Sequence, residues 1–225
     1  MSKVNPFIIL DFETGGLKGS LNAITEIAML CVDGESLMEV GRYESYVTPY
    51  IGYEYDEKAL TCTGLTLEKL LQQGKPLKQV GDEVISVMKE WYEKTTNNFR
   101  KKPILVGHNI KFDISFLQQL FKETKNDIGK YLEGDLDFFG HYLPTYLDTI
   151  HLGKLSWGNQ KDFSSYTLTN CIQKANLDLI DSHKAMNDVI GTKELLIWYV
   201  NKLRSQEEIL TKDKVRVRES FQFKY

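Results

Sequence analysis

Hydrophobic positions along the chain fall into two rhythms. Phe7, Ile8, Ile9 and Leu10 form an apolar run too short for a helix and rich in β-branched residues, which predicts a buried central strand over 6–12. Strands over 23–32 and 40–48 follow, joined by a hairpin signal at Asp33 and Gly34, and the three make an antiparallel half. Beyond them Val80, Val84, Val87, Met88 and Trp91 recur at helical spacing and predict a helix over 79–95. Ile104, Leu105 and Val106 predict a strand over 103–107. Ile114, Leu117, Leu120 and Phe121 predict a helix that opens at Asp113, and another strand is expected over 146–151. Met186, Val189, Ile190, Ile197 and Val200 supply the stripe of a last helix. Strand and helix alternate in this second half, which implies parallel pairing there.

Carboxylates stand where these elements begin and end. Asp11 and Glu13 close the first strand, and side chains at i and i+2 share a face, so the two point the same way. Like charges that close repel, and a divalent cation removes the penalty. Thr14, Gly15 and Gly16 follow, and glycines let the backbone approach a ligand. Asp113 sits at a helix start, where the helix dipole alone would explain it. His183 and Asp188 are about 140° apart on an ideal helix. The spacing therefore puts His183 in the approach and Asp188 inside the helix, turned towards the first strand. Four carboxylates and one imidazole are what a two-metal phosphodiesterase needs.

These segments resemble the DEDDh group of 3′→5′ exonucleases, which includes ribonuclease T, oligoribonuclease and the proofreading subunit of bacterial replicative polymerase. The likeness extends beyond the five residues, from about residue 5 to residue 200. Ala59 to Leu65 are similar to the family's loop after the third strand, beside the terminal nucleotide. Leu147 to Leu152 resemble its fifth strand, and Ser165 to Leu168 the helix start that follows. The resemblance implies a ribonuclease H-like α/β fold, with a five-stranded mixed sheet of order 3-2-1-4-5 and helices on both faces. It also implies two ions, Mg²⁺ or Mn²⁺, held by Asp11, Glu13, Asp113 and Asp188, with His183 as general base. Thr14, Gly15, Leu17, Asn109, Phe112, Gly64 and Leu65 would line the place of the 3′ end. Leu17 and Phe112 serve equally well as a loop anchor and a core residue. Glu26 is either a supporting carboxylate near the metals or a strand-edge charge.

Composition adds bounds. The chain has 225 residues, 42% of them hydrophobic, enough for one sizeable core, and residues 1–205 are expected to form the exonuclease domain. A net charge of −3 argues against a broad grip on duplex nucleic acid, so binding to a single-stranded DNA or RNA 3′ end must be local. Three cysteines without metal-type spacing fit a reducing, cytoplasmic compartment, and no apolar stretch or leader suggests a membrane. The resemblance raises the expectation of a homodimer. Residues 125–146 read either as a base-stacking lid or as a loop whose aromatics plug the core edge. Residues 206–225 read as a basic and aromatic extension packed on the same domain, in which Lys214 to Tyr225 make an extended strand that adds to a sheet edge, joins a partner subunit, or lays Arg216 and Arg218 along a nucleic-acid backbone. The rival to an exonuclease is a non-catalytic nucleic-acid-binding or replisome-binding module on the same fold.

Overall fold

The computed structural model describes residues 4–95, 101–178 and 184–220, with residues 205–220 as backbone only. Strands β1 (Phe7–Thr14), β2 (Ile24–Val32) and β3 (Glu39–Tyr46) pair antiparallel, with Phe7 opposite Val32 and Glu13 opposite Glu26. Helices α1 (Glu57–Thr63), α2 (Leu67–Gln73) and α3 (Leu77–Thr95) come next. Strand β4 (Ile104–Gly107) then lies parallel to β1, and helix α4 (Ile110–Glu123) leaves its end. A short hairpin of β5 (Gly134–Leu136) and β6 (Tyr142–Pro144) precedes β7 (Tyr146–Asp148), which pairs parallel to β4. Helices α5 (Thr149–Trp157), α6 (Leu168–Lys174) and α7 (Ala185–Ser220) complete the chain. The sheet order β3-β2-β1-β4-β7 is the expected 3-2-1-4-5 once the small hairpin is set aside.

β1 is buried on both faces, and its alternation sorts the core. Ile8, Leu10 and Phe12 join the cluster under α3 and α4, while Phe7 and Ile9 join Ala185, Met186, Val189 and Leu196 of α7. Asp11 and Glu13 have the same parity as Phe7 and Ile9. The face that carries them is therefore the face on which α7 lies.

Four expectations need correction. The segment 59–65 is not a loop: Asp56 caps α1 by accepting from the Lys58 amide at 2.7 Å, and Gly64 ends it in the left-handed region at φ 65°. The strand expected over 146–151 stops at Asp148, whose carboxylate accepts from the Ile150 amide at 2.9 Å and starts α5. Residues 214–218 are helical, as α7 runs to Ser220, whereas Phe221 to Tyr225 lie outside the described residues. The 125–146 segment is no lid. It joins the sheet at the beginnings of β4 and β7, through Glu133 to Pro103 and Leu105 to Thr145, the end opposite Asp11 and Glu13. Its Ile128, Leu132, Tyr131 and Tyr142 do pack on the core, as the plug reading expects, but Phe138 at the hairpin tip is 97% exposed. Cys31, Cys62 and Cys171 are free thiols. Among the described residues no helix is long and apolar enough to cross a membrane.

Candidate active site

Three carboxylates meet where β1 ends. Oxygens of Asp11, Glu13 and Asp188 all lie within 4.8 Å of one another, an arrangement that could hold a metal ion. Asp11 and Glu13 come from one face of β1. Asp188 comes from the first turn of α7, whose Ala185, Met186 and Val189 are buried against that face. Packing of the apolar stripe thus delivers the acid to the strand.

Asp113 enters from the other side. Pairing of β4 to β1 ends at Ile9 and Val106, so the rest of β1 has no strand on that flank. Asp113, in the first turn of α4 and only 3% exposed, fills the gap by accepting from the Phe12 amide at 3.0 Å. That amide lies between the two site carboxylates, so the helix and the strand are locked in register at the point of interest.

Burial and like charges set the electrostatics of the site. Burial first, then Asp113, Glu13, Asp188 and Glu26, push the Asp11 carboxyl well above its ordinary value. Burial and Asp188 raise Glu13 to about 7. Asp113 is raised to about 8, chiefly by burial, against the opposing hydrogen bond from Phe12 and with Glu13 and Asp148 adding to it. Glu26 stands opposite Glu13 and is 2% exposed, so it is no edge charge. Burial and a hydrogen bond with Glu44 raise it to about 8, and its Oε1 has no partner. Hard oxygen donors crowded until their protons are retained are a set that a divalent cation satisfies. The donor chemistry fits Mg²⁺ or Mn²⁺.

The outer residues divide. Leu17 is 84% exposed on the loop after β1, and Asn109, in the left-handed region at φ 69°, is exposed at the start of α4, so both side chains are free to meet a ligand. Phe112 is half-buried and packs at a tilt against Phe116, with ring centroids 5.0 Å apart. Thr14 spends its hydroxyl on Gly16 O at 2.6 Å, and the Gly15 amide on Ala23 O at 2.8 Å. Gly15 is needed because a Cβ there would stand 2.7 Å from Glu54 O. Leu65 is buried with Leu60 and Leu70, and Gly64 serves as the α1 cap. His183 lies outside the described residues. Asp148, missed as a site residue, is buried, accepts from the Asn109 amide at 3.2 Å and acts on Asp113. Its signal was an Asp directly before Thr149 and Ile150, the pattern of a helix cap.

An exonuclease family model, that of RNase T, matches residues 8–196. The chain belongs to that exonuclease family. Among curated relatives, the PolC-type DNA polymerase III of Thermotoga maritima is 25% identical over 198 residues, covering 88% of this chain. That of Halalkalibacterium halodurans is 26% identical over 214 residues, covering 93%. The chain spans only 12% of the length of either polymerase. Solved structures of exonuclease I share the fold. A zinc-bound complex of the E. coli enzyme with single-stranded DNA has a TM-score of 0.70 at 16% identity, covering 93% of this chain and 43% of that one. The E. coli enzyme with a dT13 oligonucleotide gives 0.67 at 17%, covering 91% and 42%. The likeness to the DEDDh group, its ribonuclease H-like sheet included, is thereby borne out for family and fold.

Proposed function

We propose that this domain is a divalent-metal-dependent 3′→5′ exonuclease that cuts the terminal phosphodiester of a single strand and releases a nucleoside 5′-monophosphate. The observation that carries the reading is the meeting of Asp11, Glu13 and Asp188 within 4.8 Å at the end of β1, in a chain of this family. Asp11, Glu13 and Asp188 would hold one Mg²⁺ or Mn²⁺, and Asp11 with Asp113 a second. Bound ions supply Lewis acidity towards the phosphate and make water a nucleophile near neutral pH. The protein's part is to fix the donors: the Phe12 amide orients Asp113, and the docked stripe of α7 orients Asp188. His183, five residues before Asp188, is the candidate that removes the proton from the attacking water, since imidazole titrates near neutrality. Exposed Leu17 and Asn109 flank the place of the terminal nucleotide.

Single-stranded DNA is the favoured substrate over RNA, because the relatives are DNA polymerases and the structural neighbours are complexes with DNA strands. Free, partly buried thiols support a reducing, cytoplasmic setting. The test is release of nucleotides from labelled single strands of DNA and RNA with Mg²⁺ or Mn²⁺. Asp11→Asn and Asp188→Asn are expected to abolish shortening from the 3′ end, and His183→Gln to cut turnover by about 10² or more. Full activity in either Asp variant overturns the metal assignment, and internal cleavage overturns the exonuclease reading.

A further inference from the structure

On the far side of α4 from Asp113, a groove of about 490 Å³ runs between the loop after β1 and that helix. Leu17, Lys18 and Tyr53 form one wall, and Ser115, Gln118 and Lys122 the other. The second wall follows helical spacing i, i+3, i+7, so its polar groups make one stripe, about 10 Å long at 1.5 Å per residue. No carboxylate lines the groove, although the chain as a whole carries −3, and among the described residues no ion pair involves Lys18 or Lys122. Tyr53 is held at the wall because its hydroxyl donates to Glu123 Oε1 at 2.8 Å.

The floor is built rather than accidental. Gln119, 4% exposed, donates its amide hydrogens to Gly19 O at 2.8 Å and Asn22 O at 2.9 Å, and accepts from the Tyr50 hydroxyl at 3.0 Å. Gly19 sits so close to α4 that a Cβ would meet Ser115 Oγ at 2.6 Å. The loop is thus fastened to the helix and the groove has a fixed width.

We propose that this groove holds the nucleotides upstream of the terminal one, with phosphates on Lys18 and Lys122 and bases against Tyr53 and the outer side of Leu17. It rests on the exonuclease reading above. Continuity argues for it, since Leu17, four residues beyond Glu13 at the end of β1, lines the groove and also flanks the place assigned to the terminal nucleotide. Charge argues for it as well: two ammonium groups beside neutral donors suit a phosphodiester chain, and an aromatic wall suits unpaired bases without choosing among them. At 3.4 Å per stacked nucleotide, the stripe accommodates about three.

The experiment compares two substrates in Lys18→Glu/Lys122→Glu. The p-nitrophenyl ester of thymidine 5′-monophosphate occupies the terminal place alone; oligothymidylates of two to thirteen nucleotides reach the groove. In the unaltered protein KM is expected to fall as the strand lengthens to about four nucleotides. In the double variant KM for the longer strands should rise at least tenfold and lose its length dependence, while ester turnover stays within twofold. Binding of a labelled thirteen-nucleotide strand in Ca²⁺ should show a weaker salt dependence, by about 0.7 in log–log slope per lysine removed. An unchanged KM for long strands in the double variant, or an equal loss on ester and strand, overturns the groove assignment. An unaltered protein inert towards ester and strands alike overturns the exonuclease reading itself.

Discussion

At the scale of single residues, the site depends on groups whose roles arise from neighbours distant in sequence. Asp11 and Glu13 were legible because a strand's parity is written in its alternation. The bond from the Phe12 amide to Asp113 was not, because it exists only where β4 stops pairing. Gln119 is a similar case: nothing in a helical stripe says which polar residue will face a loop 97 residues away. Gln119→Leu would leave the carbonyls of Gly19 and Asn22 and the Tyr50 hydroxyl without their partner. Each buried polar group so orphaned costs about 1–3 kcal/mol, so chemical denaturation should show a loss of about 2 kcal/mol or more. Because the loop it fastens carries Leu17, KM for single strands is expected to rise more than kcat falls. A variant as stable and as tightly binding as the parent would show that the loop holds its place without the amide.

At the scale of elements, the places where the sequence misled were short windows. Leu147, Ile150 and Leu152 are compatible with either a strand or a helix, and the decision was made by one side chain, Asp148, which ends β7 and caps α5. Val215 and Val217 alternate with Arg216 and Arg218 and invited an extended reading, yet the backbone continues α7 through them, since five residues are too few to set a period against a helix already under way. The long, strongly patterned elements β1, β2, α3 and α4 came through with bounds displaced by a few residues. Asp148 offers the test at this scale, because its carboxylate serves two elements: it caps α5 and accepts from the Asn109 amide at the start of α4. Asp148→Ala is expected to cost about 1–2 kcal/mol by denaturant midpoint, and Asp148→Asn, which keeps an acceptor, to restore most of it. Equal losses in both variants would assign the effect to charge rather than to capping.

At the scale of the whole molecule, the fold gathers acids at one end of its sheet and sends an aromatic-tipped hairpin from the other. The insert between α4 and β7 was legible as aromatic, but its direction depends on which end of β4 and β7 the chain enters, which composition does not encode. The gathering of acids has a cost that stability measurements should register. Burial and mutual repulsion raise Glu13 to about 7 and Asp113 and Glu26 to about 8, with Asp11 also raised. In metal-free protein, the folded state therefore keeps protons at pH values where the unfolded chain, with ordinary carboxyls near 4, has lost them. Whenever the folded state binds more protons, stability falls as pH rises. Between about pH 4.5 and 8, Tm measured in chelator is expected to fall by 5 °C or more beyond the drift of an Asp11→Asn/Glu13→Gln variant. Saturating Mg²⁺ or Mn²⁺ binds the ionised form, competes with those protons and restores Tm most at the upper end of the range. The same competition predicts metal affinity that strengthens as pH rises towards 8. A Tm independent of pH in chelator, or a metal effect as large at pH 5 as at pH 8, would show that the four carboxylates are already ionised without a cation. The crowding at the end of β1 would then hold no free energy for a metal to release.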